Sequence, residues 1–144
     1  MADTLYINDD GIKADLDSIT GKAATPIGAG TLRLFTAPTT VDHTTVFASM
    51  VEATFAGYAG VALLAANWAA SSVAAHLASS VYGGTVTFTR STTGAVQNIY
   101  GWYLTDPANT KLYACALFAG GPLPLTNAGD SITVVPTLED ESIS

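Results

Sequence analysis

Charge is what this chain has least of. Charged residues fill 12% of its 144 positions, and only five are basic; a soluble domain usually carries about twice that share. Between Ala53 and Thr105 the single formal charge is Arg90. Twelve acids set the net charge at -7. There is thus no basic patch to neutralise phosphates, which excludes nucleic acid as a partner. Weakly charged surface repels other protein poorly, and an assembly that hides such surface explains the composition.

Cysteine is nearly absent too. Cys115 stands alone in "LYACALF", so no disulfide closes within the chain, and it reads as a small buried hydrophobe. Of the two histidines, His43 and His76, neither has Cys, Asp or Glu at metal-ligand spacing apart from Asp42, and no metal is expected. Glu52, Asp106 and Asp130 are the separated carboxylates of the body. Asp106 precedes Pro107 and Asp130 follows Gly129, which is turn chemistry rather than a catalytic pair. "NDDGIKADLD" has the acidic density of a calcium loop without its alternating oxygens. No phosphate-cradling glycine loop, nucleophile elbow or Ser/His/Asp constellation is present. The chain reads as non-enzymatic and without a cofactor.

Met1 to Gly11 is polar and acidic, so no signal peptide is expected. The uncharged run "GYAGVALLAANWAASSVAAHLASSVYGG" is long enough to cross a bilayer. Its Ala/Ser content, Asn67, His76 and lack of basic flanks argue against a membrane span.

What the chain does contain is a β pattern. In "GTVTFTR", Val86 and Phe88 alternate with threonines. "VQNIYGWYLTD" and "KLYACALF" flank the turn "PANTK" and read as an antiparallel hairpin. In "SITVVPTL", Ile132, Val134 and Leu138 face inward and Pro136 marks an edge or bulge. "TLRLFTAP" and "GYAGVALLA" supply earlier strands. A short helix is expected after Thr45, with Phe47, Met50, Val51 and Phe55 in one stripe. The Ala/Ser run 65–80 is compatible with helix or irregular chain.

The expected architecture is all-β, an antiparallel β-sandwich or a Greek-key, jelly-roll-like barrel, with one short helix. Residues 1–30 read as an acidic, flexible arm, 31–138 as the β-sandwich domain, and 139–144 as a polar tail. In the arm, "TLYIN" is a candidate short strand whose Leu5 and Ile7 dock on a neighbouring sheet, and Ile27 is a further apolar contact. "NIYGWYLTD" is apolar on both faces: Tyr100, Trp102 and Leu104 on one, Ile99, Gly101 and Tyr103 on the other. Tyr100, Trp102 and Tyr103 fit core or subunit contact better than a sugar-stacking platform.

Taken in order, "LRLFTAP", "EATFAGYAGVAL", "TVTFT", "VQNIYGWYLTD", "KLYACALF" and "LTNAGDSITVVPTL" resemble a group of small virion proteins of tailed phages. That pattern runs from a short strand through an acid followed by "F-x-GYA", then "TFT", then a "YGYY-x-TD"-like strand. It continues with "L-Y-A…F" and ends on "G-D-x-x-x-V-x-P-x-L". The likeness spans Leu32 to Leu138 and leaves out the acidic arm. It implies a capsid cement, or decoration, protein that binds the outer head surface as a homotrimer, with the major capsid protein as partner. The alternative is a tail or fibre module that binds a host receptor or carbohydrate. Leu5, Ile7, Ile27, Tyr100, Trp102 and Tyr103 are the candidate assembly contacts.

Overall fold

A computed structural model describes residues 4–22, 26–75 and 77–141. The strands in chain order are β1 (Thr4–Ile7), β2 (Thr31–Ala37), β3 (Val51–Glu52), β4 (Val61–Ala62), β5 (Ser72–Ala74), β6 (Leu77–Val81) and β7 (Val86–Thr89). They continue with β8 (Gln97–Ile99), β9 (Gly101–Thr105), β10 (Leu112–Leu117), β11 (Leu123–Leu125), β12 (Ser131–Val134) and β13 (Thr137–Glu141). The single α-helix among the described residues, α1, spans Asp9–Ile19.

All strand pairs are antiparallel. The main sheet runs β1-β10-β9-β2-β3, with β4 also on β2. β7 pairs with β12, β8 with β11, and β13-β6-β5 form a separate three-stranded sheet. The main sheet is open, since its end strands β1 and β3 do not pair with each other.

Two apolar clusters follow from the period of two along these strands. On one side Leu32, Leu34, Trp102, Leu104, Ala114 and Ala116 of the main sheet meet Val86 and Phe88 of β7 and Ile132 and Val134 of β12. Tyr58 packs among them, its ring 5.2 Å from Phe55 and 5.7 Å from Phe88. On the other side Phe35, Tyr103, Leu112 and Cys115 are covered by Val41, Phe47 and Met50, together with Tyr6 of β1. The second apolar face of the aromatic strand is therefore roofed by the 41–50 segment.

The alternation in that strand breaks at Tyr100. Its N–H donates to the Phe35 carbonyl, and its own carbonyl accepts from Phe118 N–H. β8 pairs with β11, whereas β9 lies between β2 and β10, so the chain changes partners at this residue. The extra residue flips the order of faces. Ile99 joins Trp102 and Leu104 in the first cluster, while Tyr100 packs beside Tyr103. Grouping Tyr100 with Trp102 is corrected on this ground.

The helix expected at 45–55 does not form. One 3-10 turn covers Phe47–Ser49, and Val51 and Glu52 are drawn into β3 by pairing with Ala37 and Phe35. The Thr45 hydroxyl accepts Asp42 N–H, and Asp42 accepts Thr44 N–H, so this stretch satisfies itself as a turn. Its supposed stripe is divided: Phe47 and Met50 pack on one cluster, Phe55 on the other.

The helix lies instead in the segment read as a flexible arm. Asp9 and Asp10 sit in its first turn, where carboxylates suit the helix dipole, and Lys13 pairs with Asp17 one turn on. Gly11 and Ala14 form the face against the sheet. A side chain at Gly11 would strike the Tyr113 carbonyl, so glycine sets this close approach. Asn8, just before the helix, is buried and donates through Nδ2 to the carbonyls of Asp42 and Thr45, both at 3.0 Å. Residues 4–19 are thus built into the body rather than extended from it. Met1–Asp3 and residues 23–25 of the proposed arm lie outside the described residues.

The Ala/Ser run is neither helix nor irregular loop but the β5–β6 hairpin, preceded by a 3-10 turn at Ala65–Asn67. Pro136 is buried and divides the final stretch, so β12 pairs with β7 and β13 with β6. Glu139 to Glu141 belong to β13; the rest of the proposed tail, 142–144, lies outside the described residues.

Candidate assembly surfaces

The six proposed contact residues part into two groups. Leu5, Ile7 and Ile27 line one open groove of about 690 Å3 between β1, α1 and the β6–β13 pair. Ile12 and Asp15 of α1, Trp68, Leu138 and Glu139 line it as well. Trp68 donates its indole N–H to the Gly28 carbonyl at 2.7 Å, which ties the 26–30 turn to the groove wall. Trp102 and Tyr103, by contrast, are buried in the core, and Tyr100 is half-buried beside Tyr103. These three do not reach the groove.

The carboxylates weighed as catalytic candidates are each engaged close to home. Glu52 holds the Arg33 guanidinium at 2.6 Å and accepts the Tyr58 hydroxyl at 3.0 Å. That hydroxyl in turn accepts Leu34 N–H, and burial raises the Tyr58 phenol well above its ordinary pKa. Asp130 accepts Thr126 and Asn127 N–H. Asp106 accepts Thr110 N–H and Lys111 N–H, both at 2.7 Å, and the Thr110 hydroxyl. Burial pushes the Cys115 thiol up to about 12, with the Asn8 side chain opposing the shift. Among the described residues no three His, Cys, Asp or Glu side chains gather as metal ligands, and His76 lies outside them.

Three of the turn carboxylates make the fold sensitive to acid. For Asp106 burial pulls the pKa upward, but the Thr110 and Lys111 hydrogen bonds outweigh it, and the net shift is below the ordinary 3.8. Thr44 lowers Asp42, and the Asn127 and Thr126 amides lower Asp130. A folded pKa below the unfolded one stabilises the fold above the unfolded value and loses that contribution as pH falls through the folded value. Melting temperature should therefore hold down to about pH 4 and decline below it, with a shallower decline in Asp106→Asn. Superimposable pH profiles for the two proteins would reject this assignment.

A second surface escaped sequence reasoning. β5 is one of the two outer strands of its sheet, and Ser72, Val73 and Ala74 are all exposed. Val73 is 71% exposed, and Leu77 and Val81 on β6 are exposed as well. No formal charge occurs from Ala53 to Thr89, so this edge has none of the lysines, prolines or bulges that usually guard an open strand. α1 adds an apolar stripe of its own: Ile12, Leu16 and Ile19 are 54%, 58% and 75% exposed at helical spacing. The i, i+4, i+7 spacing was the available signal, masked by the acids between these residues.

No family model, curated protein or solved structure matches this chain. What it does must be read from its own surfaces. No helix among the described residues is long and apolar enough to cross a membrane.

Proposed function

We propose that this chain is a non-enzymatic virion protein of a tailed phage, a capsid cement or decoration protein of β-sandwich form. It binds the outer surface of the head as a homotrimer and stabilises the shell. Its partners on this reading are the major capsid protein and further copies of itself.

The observation that carries the reading is the uncharged, exposed edge strand β5 on a protein of net charge -7. Copies of so acidic a chain approach best where neither presents charge, and β5 set head to tail against a different, weakly charged surface of the next copy gives the heterologous contact that a three-fold ring requires. The ordered likeness from Leu32 to Leu138 to small virion proteins supplies the context. Burial of Trp102 and Tyr103 supports this reading over a receptor- or sugar-binding module, which needs such rings exposed. Added interface is the mechanism: each seated oligomer must be stripped off before the capsomers beneath it separate.

The test is to incubate the purified protein with heads that lack it and image them. Density at regular lattice positions is expected, and its absence would sink the capsid reading. Val73→Lys places a charge on the open edge without touching the core. This variant should sediment as a monomer, keep the native circular-dichroism spectrum, and melt at a temperature independent of protein concentration. A native oligomer in the variant would remove β5 from the self-contact.

A further inference from the structure

We propose that the groove between β1, α1 and β13 is a docking site for an extended, cationic peptide segment of a partner protein. This inference does not depend on the capsid reading.

The floor is apolar, built by Leu5, Ile7, Ile27, Trp68 and Leu138, with Ile12 at the rim. At about 690 Å3 it has room for several side chains of a peptide. Leu5, Tyr6 and Ile7 are consecutive, and their side chains alternate: Leu5 packs on one core cluster and Tyr6 on the other. All three line the groove, and what they share in its direction is the edge of β1. The opposite edge of β1 is taken by β10, from Thr4↔Leu117 to Ile7↔Ala114. The groove edge is paired with no described strand, so an incoming strand finds free backbone groups there.

Charge decides the occupant. Asp15 of α1 and Glu139 of β13 both line the groove and are exposed, and α1 also bears Asp9, Asp10 and Asp17. The one cation on α1, Lys13, is held by Asp17. A second copy of this face would bring the same acids against these, whereas lysines or arginines flanking apolar residues would meet carboxylates from both elements. The exposed stripe Ile12, Leu16 and Ile19 continues the apolar floor along α1 and widens the contact. This face therefore suits a basic partner, just as the neutral β5 edge suits another copy.

The probe is an acetylated nine-residue peptide alternating lysine and valine, with a glutamate–valine peptide as control, titrated in the absence of any capsid. Trp68 lines the groove and Trp102 is buried, so a change in tryptophan emission reports occupancy. The lysine peptide should bind saturably, one per chain, and weaken at least about tenfold between low and high salt. The glutamate peptide should not bind. The exposed pair Asp15→Lys with Glu139→Lys should lower affinity at least about tenfold at an unchanged melting temperature. Lack of saturable binding, equal binding of both peptides, or undiminished binding by the double variant would overturn the proposal. So would a changed oligomeric state of the double variant with peptide affinity retained, since that would seat a second copy in the groove. Heads play no part here, so failure to decorate them leaves this result standing, and the converse holds.

Discussion

Arg90→Leu should cost about 3–5 kcal/mol of stability and lower the melting temperature by roughly 10–20 °C. Arg90 follows β7 and is only 6% exposed, yet no acid among the described residues pairs with it at salt-bridge distance. Its charge is solvated by the backbone instead. Nε donates to the Thr92 carbonyl at 2.8 Å, and Nη1 donates to the carbonyls of Ala95 and Leu125 at 2.9 and 2.7 Å. Its own amide and carbonyl bond to Asp130 and Gly129. One side chain thus ties the loop after β7 to the loop before β12. Leucine fills much of the volume and leaves three carbonyls without a donor, each worth on the order of 1 kcal/mol or more when buried. Arg90→Lys keeps the charge, but one ammonium cannot copy a planar fork that serves three acceptors, so about half the loss should remain. A leucine variant melting within about 3 °C of the native protein would show these carbonyls hydrated instead.

The second large effect belongs to Gly101. The residue is not in a left-handed conformation, so its role is space alone. A Cβ there would strike the carbonyl of Ala116 on β10 and meet the Phe35 ring from β2 at 2.9 Å. Both neighbours belong to the centre of the main sheet and neither is the free end of a flexible chain. Gly101→Ala should therefore cost about 3 kcal/mol, at the upper end of overpacking penalties, and Gly101→Val should leave little soluble protein. At Gly120 a Cβ would meet nothing within 4 Å, and the backbone there has no positive φ. Gly120→Ala should stay within about 0.5 kcal/mol of the native protein, measured by urea unfolding of all three. Equal stability of the Gly101 and Gly120 alanine variants would show that the sheet parts easily at this point.

Strands whose side chains alternate were legible in the sequence. Val86 and Phe88, Ile132 and Val134, and the pairing of 101–105 with 112–117 all follow from period-two patterning and turn residues. The misreadings share a cause, which is local pattern overridden by tertiary pairing. Phe47, Met50 and Phe55 fall at helical spacing, yet Val51 and Glu52 gain more from joining β2. Asp9 to Ile19 carries glycine and four aspartates, a poor helix by propensity, and is held by Gly11 and Ala14 against β10. Of the assembly surfaces, Leu5, Ile7 and Ile27 stood out as apolar residues in a polar segment. Trp68 and Glu139 gave no sign, because only the pairing of β13 with β6 brings that wall near β1.

The register of β1 also sets the order in which the fold can be completed. Thr4 pairs with Leu117 and Thr31 with Thr105, so the main sheet closes over long sequence separations. Such a topology folds slowly, because loop closure precedes any gain from contact. On a ribosome adding about 5–20 residues per second, the first strand waits roughly 5–25 s for its partner to be made. Throughout that interval an unpaired apolar strand is exposed. The four aspartates that follow it give the nascent segment a repulsion that the stretch from Ala53 to Thr105 lacks.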